Sequence, residues 1–131
     1  MPVGLPGTIA ALAAATYVES LTTWVSFGTQ NPALGTLPAN SHVLDVQVYV
    51  QAAFNSDGTD LLTVGYDGTV SAFVTSLDVS TTGLKSPTLG SGMGYNATSR
   101  AVEVYYTAGG SAPTTGSAIV VLRFVRVAAA P

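Results

Sequence analysis

The sequence has 131 residues, no cysteine and a formal net charge of −3. A chain of this length fits one domain, and without cysteine it builds neither a disulfide framework nor a thiolate metal site. Its four Lys and Arg residues form no run, so the basic stripe that nucleic-acid binding requires is missing. No apolar run approaches the roughly 20 residues of a membrane-spanning helix. We therefore expect neither nucleic acid nor a membrane as a partner.

The low charge content is the unusual feature of the composition. Asp, Glu, Lys and Arg make up 8% of the residues, against about 25% in typical soluble domains. Cores of protein interfaces are depleted of charge in the same way. The composition therefore favours a homo-oligomer built into an assembly. A secreted domain with an uncharged polar surface is the alternative.

Residues 1–15 differ from the rest and are predicted to form an N-terminal arm. Pro and Gly residues at the start prevent regular structure, and Thr8 can cap a short helix over Ile9 to Ala15. The arm has no charged side chain. Free in solution, it would expose three apolar side chains: Leu5, Ile9 and Leu12. We expect these residues to dock on a neighbouring subunit or on a capsid. A disordered leader is the alternative.

Residues 16–127 show the period-two pattern of β-strands. Val43 to Gln51 predicts a half-buried strand whose buried face carries Leu44, Val46, Val48 and Val50. Ala101 to Thr107 repeats the pattern, with Val102, Val104 and Tyr106 inward and Glu103 outward. Further strands are predicted over Tyr17 to Phe27, Leu61 to Tyr66 and Val70 to Thr75.

The segment Ala118 to Val127 is apolar on both faces until Arg123, which is typical of a central or interface strand. We predict that Val120 and Val121 contribute to a subunit interface. Gly-rich turns separate the strands, and Gln30 to His42 and Ser86 to Thr98 are predicted to be long irregular loops. This pattern predicts an all-β fold, an antiparallel β-sandwich for which a jelly roll is one topology. Residues 128–131 form a short tail.

Catalytic chemistry finds little support in the sequence. The single histidine, His42, neighbours Ser41 in an extended segment, where adjacent side chains point to opposite faces. The carboxylates are dispersed, so we predict a protein that is not an enzyme and needs no cofactor. Asn55 to Asp60 carries oxygen ligands that suit calcium, but an Asp-Gly turn explains them equally. A carbohydrate-binding module, with Tyr105 exposed as a sugar platform, is the second function to consider.

Seven segments together resemble small virion proteins of tailed bacteriophages. They are Gly35 to Asn40, Val43 to Val50, Ala53 to Asn55, Asp60 to Gly68, Ala72 to Val74, Ala101 to Thr107 and Gly116 to Val127. The resemblance covers roughly residues 16–127 and contains no catalytic motif. The Ala-rich segment before residue 16 has no counterpart in it.

The resemblance implies a jelly-roll-like sandwich that decorates or cements a capsid. It implies a location in the virion, the major capsid protein as partner, and self-association, commonly as a trimer. Some relatives of this kind are instead head fibres or tail components, and that alternative stays open.

Overall fold

In a computed structural model, residues 18–127 are described and form two antiparallel sheets. The predicted arm and its residues Leu5, Ile9 and Leu12 lie outside the described residues, as does the tail of residues 128–131. The strands of the described part are β1 (Glu19–Ser26), β2 (Ala33–Leu37), β3 (Ser41–Ala52), β4 (Asp60–Tyr66), β5 (Thr69–Asp78), β6 (Gly83–Lys85), β7 (Thr88–Leu89), β8 (Gly94–Asn96), β9 (Arg100–Ala108) and β10 (Ser117–Arg126).

Strands from the two ends of the described chain alternate in both sheets. Sheet A has the order β1-β10-β3-β6, and β8 pairs with another part of β3. Sheet B has the order β2-β9-β4-β5-β7. The first strand therefore pairs with the last and the second with the second-last, so that the chain folds back on itself as a set of nested antiparallel pairs.

The core lies between the inner faces of the two sheets. Val46, Val48 and Val50 of β3 face it from sheet A, and Val102, Val104 and Tyr106 of β9 face it from sheet B. The rings of Phe54 and Tyr106 pack with centroids 4.7 Å apart. Because alternate residues of each strand point to opposite sides of a sheet, the period-two pattern buries one face of each. The predicted antiparallel β-sandwich is confirmed.

Leu44 was predicted to be buried, and that prediction is wrong: its side chain is 42% exposed. Asp45 lies opposite Arg123 and Val43 lies opposite Phe124, so the register shifts at this point and Leu44 is an extra residue on β3. Such a bulge reverses which residues face inward. Val43 enters the core in place of Leu44.

The two predicted irregular loops both contain strands. Residues 30–42 include β2, which places Leu34 and Leu37 in the core. Its pattern is short because Gly35, with φ of +143°, interrupts it. Residues 86–98 contain the two- and three-residue strands β7 and β8. Strands this short carry too few alternations to be recognised from a sequence.

No helix found within residues 18–127 is long and apolar enough to cross a membrane.

Candidate interaction surface

Strand β10 lies between β1 and β3, so both of its edges are hydrogen-bonded to neighbouring strands. The central position predicted for Ala118 to Val127 is confirmed. Val120 is fully buried in the core of its own chain, whereas Val121 is half-buried and faces away from the core. Any contact with another subunit is therefore available to Val121 and its outward neighbours, while Val120 serves the core.

The strand register aligns four large apolar side chains across the outer face of sheet A. Trp24 of β1 lies opposite Ile119 of β10, which lies opposite Tyr49 of β3. Tyr49 in turn lies opposite Leu84 of β6. Adjacent strands are about 4.8 Å apart, so these side chains are direct cross-strand neighbours. We call these four residues the transverse row.

Three of the four members of the transverse row are unusually accessible to solvent, and Ile119 is half-buried. Trp24 is 51% exposed, Tyr49 is 47% exposed and Leu84 is 71% exposed. Monomeric soluble proteins rarely expose contiguous apolar patches of more than a few hundred Å². A continuous row of this kind is typical of a surface that another molecule covers.

Further apolar side chains extend this surface along the strands. Val121 lies between Thr22 and Gln47 in the neighbouring row. The bulge at Leu44 turns that side chain outward, and Tyr95 of β8 lies opposite His42. Val121, Leu44 and Tyr95 therefore lie on the same outer face of sheet A as the transverse row, with polar residues such as Thr22 and Gln47 among them.

The ion pair of Arg123 on β10 and Asp45 on β3 lies on this outer face. Arg123 Nε donates a hydrogen bond of 2.7 Å to Asp45 Oδ1, and Arg123 Nη2 contacts Asp45 Oδ2. The hydrogen bond from Arg123 holds the pKa of Asp45 below its ordinary value, and the same bond raises the pKa of Arg123. Because each charge has its partner on the same face, the surface can be covered without leaving these charges unpaired.

The outer face of sheet B has a different character. Thr63, Glu103, Tyr105 and Thr107 lie there in adjacent register. Burial raises the pKa of Tyr105, and the charges of Glu103 and Asp67 add to the rise. Glu103 takes part in no ion pair within residues 18–127. This face is therefore polar and acidic, whereas the outer face of sheet A is apolar and balanced in charge.

The predicted sugar platform at Tyr105 is only half-exposed. Among residues 18–127, the widely exposed aromatic side chains are Phe27, which follows β1, and Trp24, Tyr49 and Tyr95, which lie on the outer face of sheet A. Sequence reasoning missed this cluster, because the three residues belong to three different strands and the sequence does not specify their register. Their common outward orientation was visible only for Tyr49, which alternates with the valines of β3.

The Asn55 to Asp60 segment is held by hydrogen bonds to the segment that precedes β10. Asn55 Oδ1 accepts from the backbone N–H groups of Thr114 and Thr115, at 2.8 and 3.0 Å. Asp57 Oδ1 accepts from Ser111 N–H at 2.6 Å, which lowers the pKa of Asp57. Within residues 18–127, no group of three His, Cys, Asp or Glu side chains is arranged to hold a metal ion. The oxygens of this segment act as structural acceptors.

His42 and Ser41 point to opposite faces of β3, as their extended backbone predicts. Ser41 is buried and its hydroxyl donates a hydrogen bond of 2.6 Å to the carbonyl oxygen of Pro38. His42 lies on the exposed outer side. The two side chains therefore do not form a nucleophile and base pair.

No protein-family model matches the sequence, and no curated protein matches it. Solved phage capsid structures share the fold. One similar chain belongs to the cyanophage Pam1 capsid asymmetric unit, with 20% identity and a TM-score of 0.66 over 83% of this chain and 84% of that chain. Another belongs to the acidic stable capsid structure of Helicobacter pylori bacteriophage KHP30, with 17% identity and a TM-score of 0.56 over 85% of this chain and 90% of that chain. At the level of the fold, these structures confirm the resemblance to phage virion proteins.

Proposed function

We propose that this protein is a virion structural protein that decorates and cements the capsid of a tailed bacteriophage by binding its major capsid protein. The observation that carries the proposal is the apolar, charge-balanced outer face of sheet A. It lies on a sandwich whose fold recurs in chains of two phage capsid structures. A capsid offers the repeated protein surface that such a face needs.

The nested strand pairs support the assignment of this sandwich to the jelly-roll class. In a jelly roll the chain folds back so that its first and last strands pair in one sheet and the next strands inward pair in the other. The pairs β1 with β10 and β2 with β9 follow this rule. Jelly rolls are common among viral capsid domains, which fits the proposed location in the virion.

Burial of the transverse row would drive binding. Fully burying a large apolar side chain contributes roughly 1.5–3 kcal/mol, so Trp24, Tyr49 and Leu84 together outweigh the contribution of the surface ion pair. Symmetry then repeats the contact across the capsid, and simultaneous contacts strengthen one another. Self-association as a homotrimer would multiply the contacts per particle further. The mechanism needs neither catalysis nor a cofactor.

The N-terminal arm is a second proposed contact. Val18, the first described residue, precedes β1 and is 55% exposed. The arm that precedes it carries no charge, and its residues Leu5, Ile9 and Leu12 would bind an apolar surface of a neighbouring subunit or of the capsid. Binding would offset the entropy that the arm loses on ordering.

The test is reconstitution on capsids that lack the protein. Purified protein should bind at saturating occupancy and raise the melting temperature of the shell. Tyr49→Asp places a charge in the transverse row and should reduce occupancy by at least about tenfold, since burying an unpaired charge costs several kcal/mol. Thr107→Asp, on the exposed outer face of sheet B, is the matched control and should bind normally. Equal loss of binding in both variants would refute the role of the outer face of sheet A.

A carbohydrate-binding or adhesive module is the second candidate function, and one observation favours it. Trp24 and Tyr49 are exposed on one sheet face and two strands apart, about 10 Å, and sugars stack on aromatic side chains. Glycan binding that is lost on Trp24→Ala, with no binding to capsids, would support this function. Electron microscopy of virions distinguishes the decoration role from a head fibre or a tail component.

A further inference from the structure

Among residues 18–127, the edge of β1 away from β10 pairs with no other strand, and the carbonyl of Trp24 accepts only a 3.5 Å hydrogen bond from Thr23 Oγ1. Ser26 and Thr29 exchange two backbone hydrogen bonds of 3.1 Å on the side away from β10, while Phe27 N–H donates to the carbonyl of Gly116 on the β10 side. In an antiparallel strand, alternate residues direct their N–H and C=O groups to the same side. Ser20, Thr22 and Trp24 share the parity of Ser26 and therefore direct both groups away from β10.

The other sheet edges are poorer sites for strand pairing. Strand β1 has eight residues and pairs with β10 without a register shift. Strand β2 has five residues and a register shift, and β6, β7 and β8 have two or three residues each. Proteins usually protect long edges with Pro, Lys, bulges or a cover. From Ser20 to Ser26, β1 contains no Pro, no charged residue and no bulge.

We propose that the edge of β1 pairs with β1 of a second copy of this chain about a twofold axis at Thr22. In that arrangement, Thr22 lies opposite Thr22 of the partner subunit, and Ser20 lies opposite Trp24 of the partner subunit. Three residue pairs exchange about six backbone hydrogen bonds. The two A sheets become one continuous sheet across the axis.

The composition of the edge favours a second copy as the occupant. A twofold contact places the same surface on both subunits, so it must be self-complementary. Uncharged residues facing each other avoid like-charge repulsion, and Thr–Thr cross-strand pairs are favourable. The charged residue of β1, Glu19, lies beyond the paired stretch, and its carboxylate contacts Arg126 Nε at 2.9 Å. The edge therefore carries nothing that repels its own copy.

The contact is separate from a threefold interface. A ring of three subunits joined by edge pairing would need β1 to pair with a different edge, but β2 has five residues with a register shift and β6, β7 and β8 have only two or three residues. A twofold β1 contact instead leaves the outer face of sheet A exposed on both subunits. It therefore joins copies, or trimers of copies, side by side.

The first experiment is disulfide trapping in the full-length protein, which has no cysteine of its own. In the proposed dimer the two Thr22 Cα atoms are about 5.5 Å apart, within the range that a disulfide spans. Thr22→Cys should form cross-linked dimers at least about tenfold faster than Gln47→Cys, because pairing raises the effective concentration of the thiols. Gln47 lies in the same row of the same face, two strands from the edge. Equal rates at the two positions would overturn the proposal.

A charge experiment tests the twofold symmetry by sedimentation. Thr22→Lys and Thr22→Glu should each dimerise less than the wild type, because like charges meet on the axis. An equimolar mixture of the two variants should dimerise again, whereas the corresponding Gln47 variants should behave as the wild type does, alone and mixed. A mixture that stays unpaired would also overturn the proposal. Neither experiment uses a capsid, so the outcome is independent of the reconstitution test.

Discussion

The hydroxyl of Tyr106 donates a hydrogen bond of 2.5 Å to Oδ1 of Asp60 inside the sandwich. The same carboxylate oxygen accepts from Ser56 N–H at 3.1 Å. Asp60 begins β4 and Tyr106 lies on β9, so the bond joins two neighbouring strands of sheet B at one end of the core. Both residues are buried, so the pKa of the phenol differs between the folded and the unfolded state.

Stability should fall at alkaline pH because of this phenol. Burial, together with the hydrogen bond and charge of Asp60, raises the pKa of Tyr106 to about 12, from an ordinary value of 10.0. The folded state therefore holds the proton more tightly than the unfolded state. The protonated phenol therefore stabilises the folded state fully below pH 10. This stabilisation is lost as the pH rises to about 12, and the free energy of unfolding falls by up to about 3 kcal/mol. Urea unfolding at pH 8 and pH 11 measures it.

Tyr106→Phe removes the titrating group and should remove most of this alkaline dependence. At pH 8 the variant should be about 1–3 kcal/mol less stable, because Asp60 loses a buried hydrogen bond. Tyr49→Phe, which changes an exposed residue, is the control and should keep the wild-type profile. An unchanged pH dependence in Tyr106→Phe would assign the transition to another group.

Neighbouring substitutions on β10 should separate folding from assembly. Val120→Asp places a charge in the core, where Val120 is fully buried, and should prevent folding or cost several kcal/mol. Val121→Asp places the same charge on the outer face of sheet A and should leave the circular dichroism spectrum and thermal unfolding close to those of the wild type. Its capsid occupancy should fall. If Val121→Asp assembles normally, that face is not the interface.

The ion pair of Asp45 and Arg123 should matter more for assembly than for folding. Surface ion pairs contribute little to stability. Because the pKa of Asp45 is lowered in the folded state, its small contribution is present above the ordinary pKa of 3.8 and is lost as the pH falls below it. Asp45→Asn leaves Arg123 without its partner on a face that becomes covered, so capsid affinity should fall by roughly tenfold or more.

Exchanging the two charges provides the control for that prediction. Asp45→Arg combined with Arg123→Asp keeps the cross-strand pair in the opposite orientation, and occupancy should recover relative to Asp45→Asn. A double variant that binds as poorly as the single one would show that the capsid contacts each charge at its own position, so that the pair cannot be reversed.

Removing residues 1–15 should weaken binding without unfolding the sandwich. The arm is rich in Pro, Gly and Ala, and residues 18–127 supply the large buried cluster between the two sheets. The shortened protein should keep a β-rich circular dichroism spectrum and nearly the same melting temperature, yet occupy capsids less fully. Equal occupancy with and without the arm would refute docking, and failure to fold would place the arm in the core.

The sequence predicted the strands whose alternation is long and regular. Val46, Val48 and Val50 face the core as predicted, since three successive alternations determine which face of β3 is buried. Leu44 breaks the predicted alternation, because the bulge depends on the register with the partner strand β10. The sequence of β3 contains no signal for that bulge. Strand β2 was missed for a related reason: Gly35 interrupts its alternation before a second repeat is complete.

The interaction surface was less predictable than the fold. The apolar residues on both faces of β10 indicated an unusual strand, and Val121 lies on the surface that the structure reveals. The transverse row, however, exists only because Trp24, Ile119, Tyr49 and Leu84 meet in register. Long-range register depends on the turns, bulges and packing of the whole sandwich. A local pattern contains none of that information.

The pairing of β1 with β10 also determines when sheet A can form during translation. Within residues 18–127, the strand that pairs with β1 in sheet A is β10, and roughly 100 positions separate them in the sequence. During translation, Leu21 and Val25 therefore emerge early and remain without their sheet until β10 has left the ribosomal tunnel. Contacts this distant make folding slow and leave a growing chain prone to aggregate. Nascent copies on one polysome would be most vulnerable in that interval.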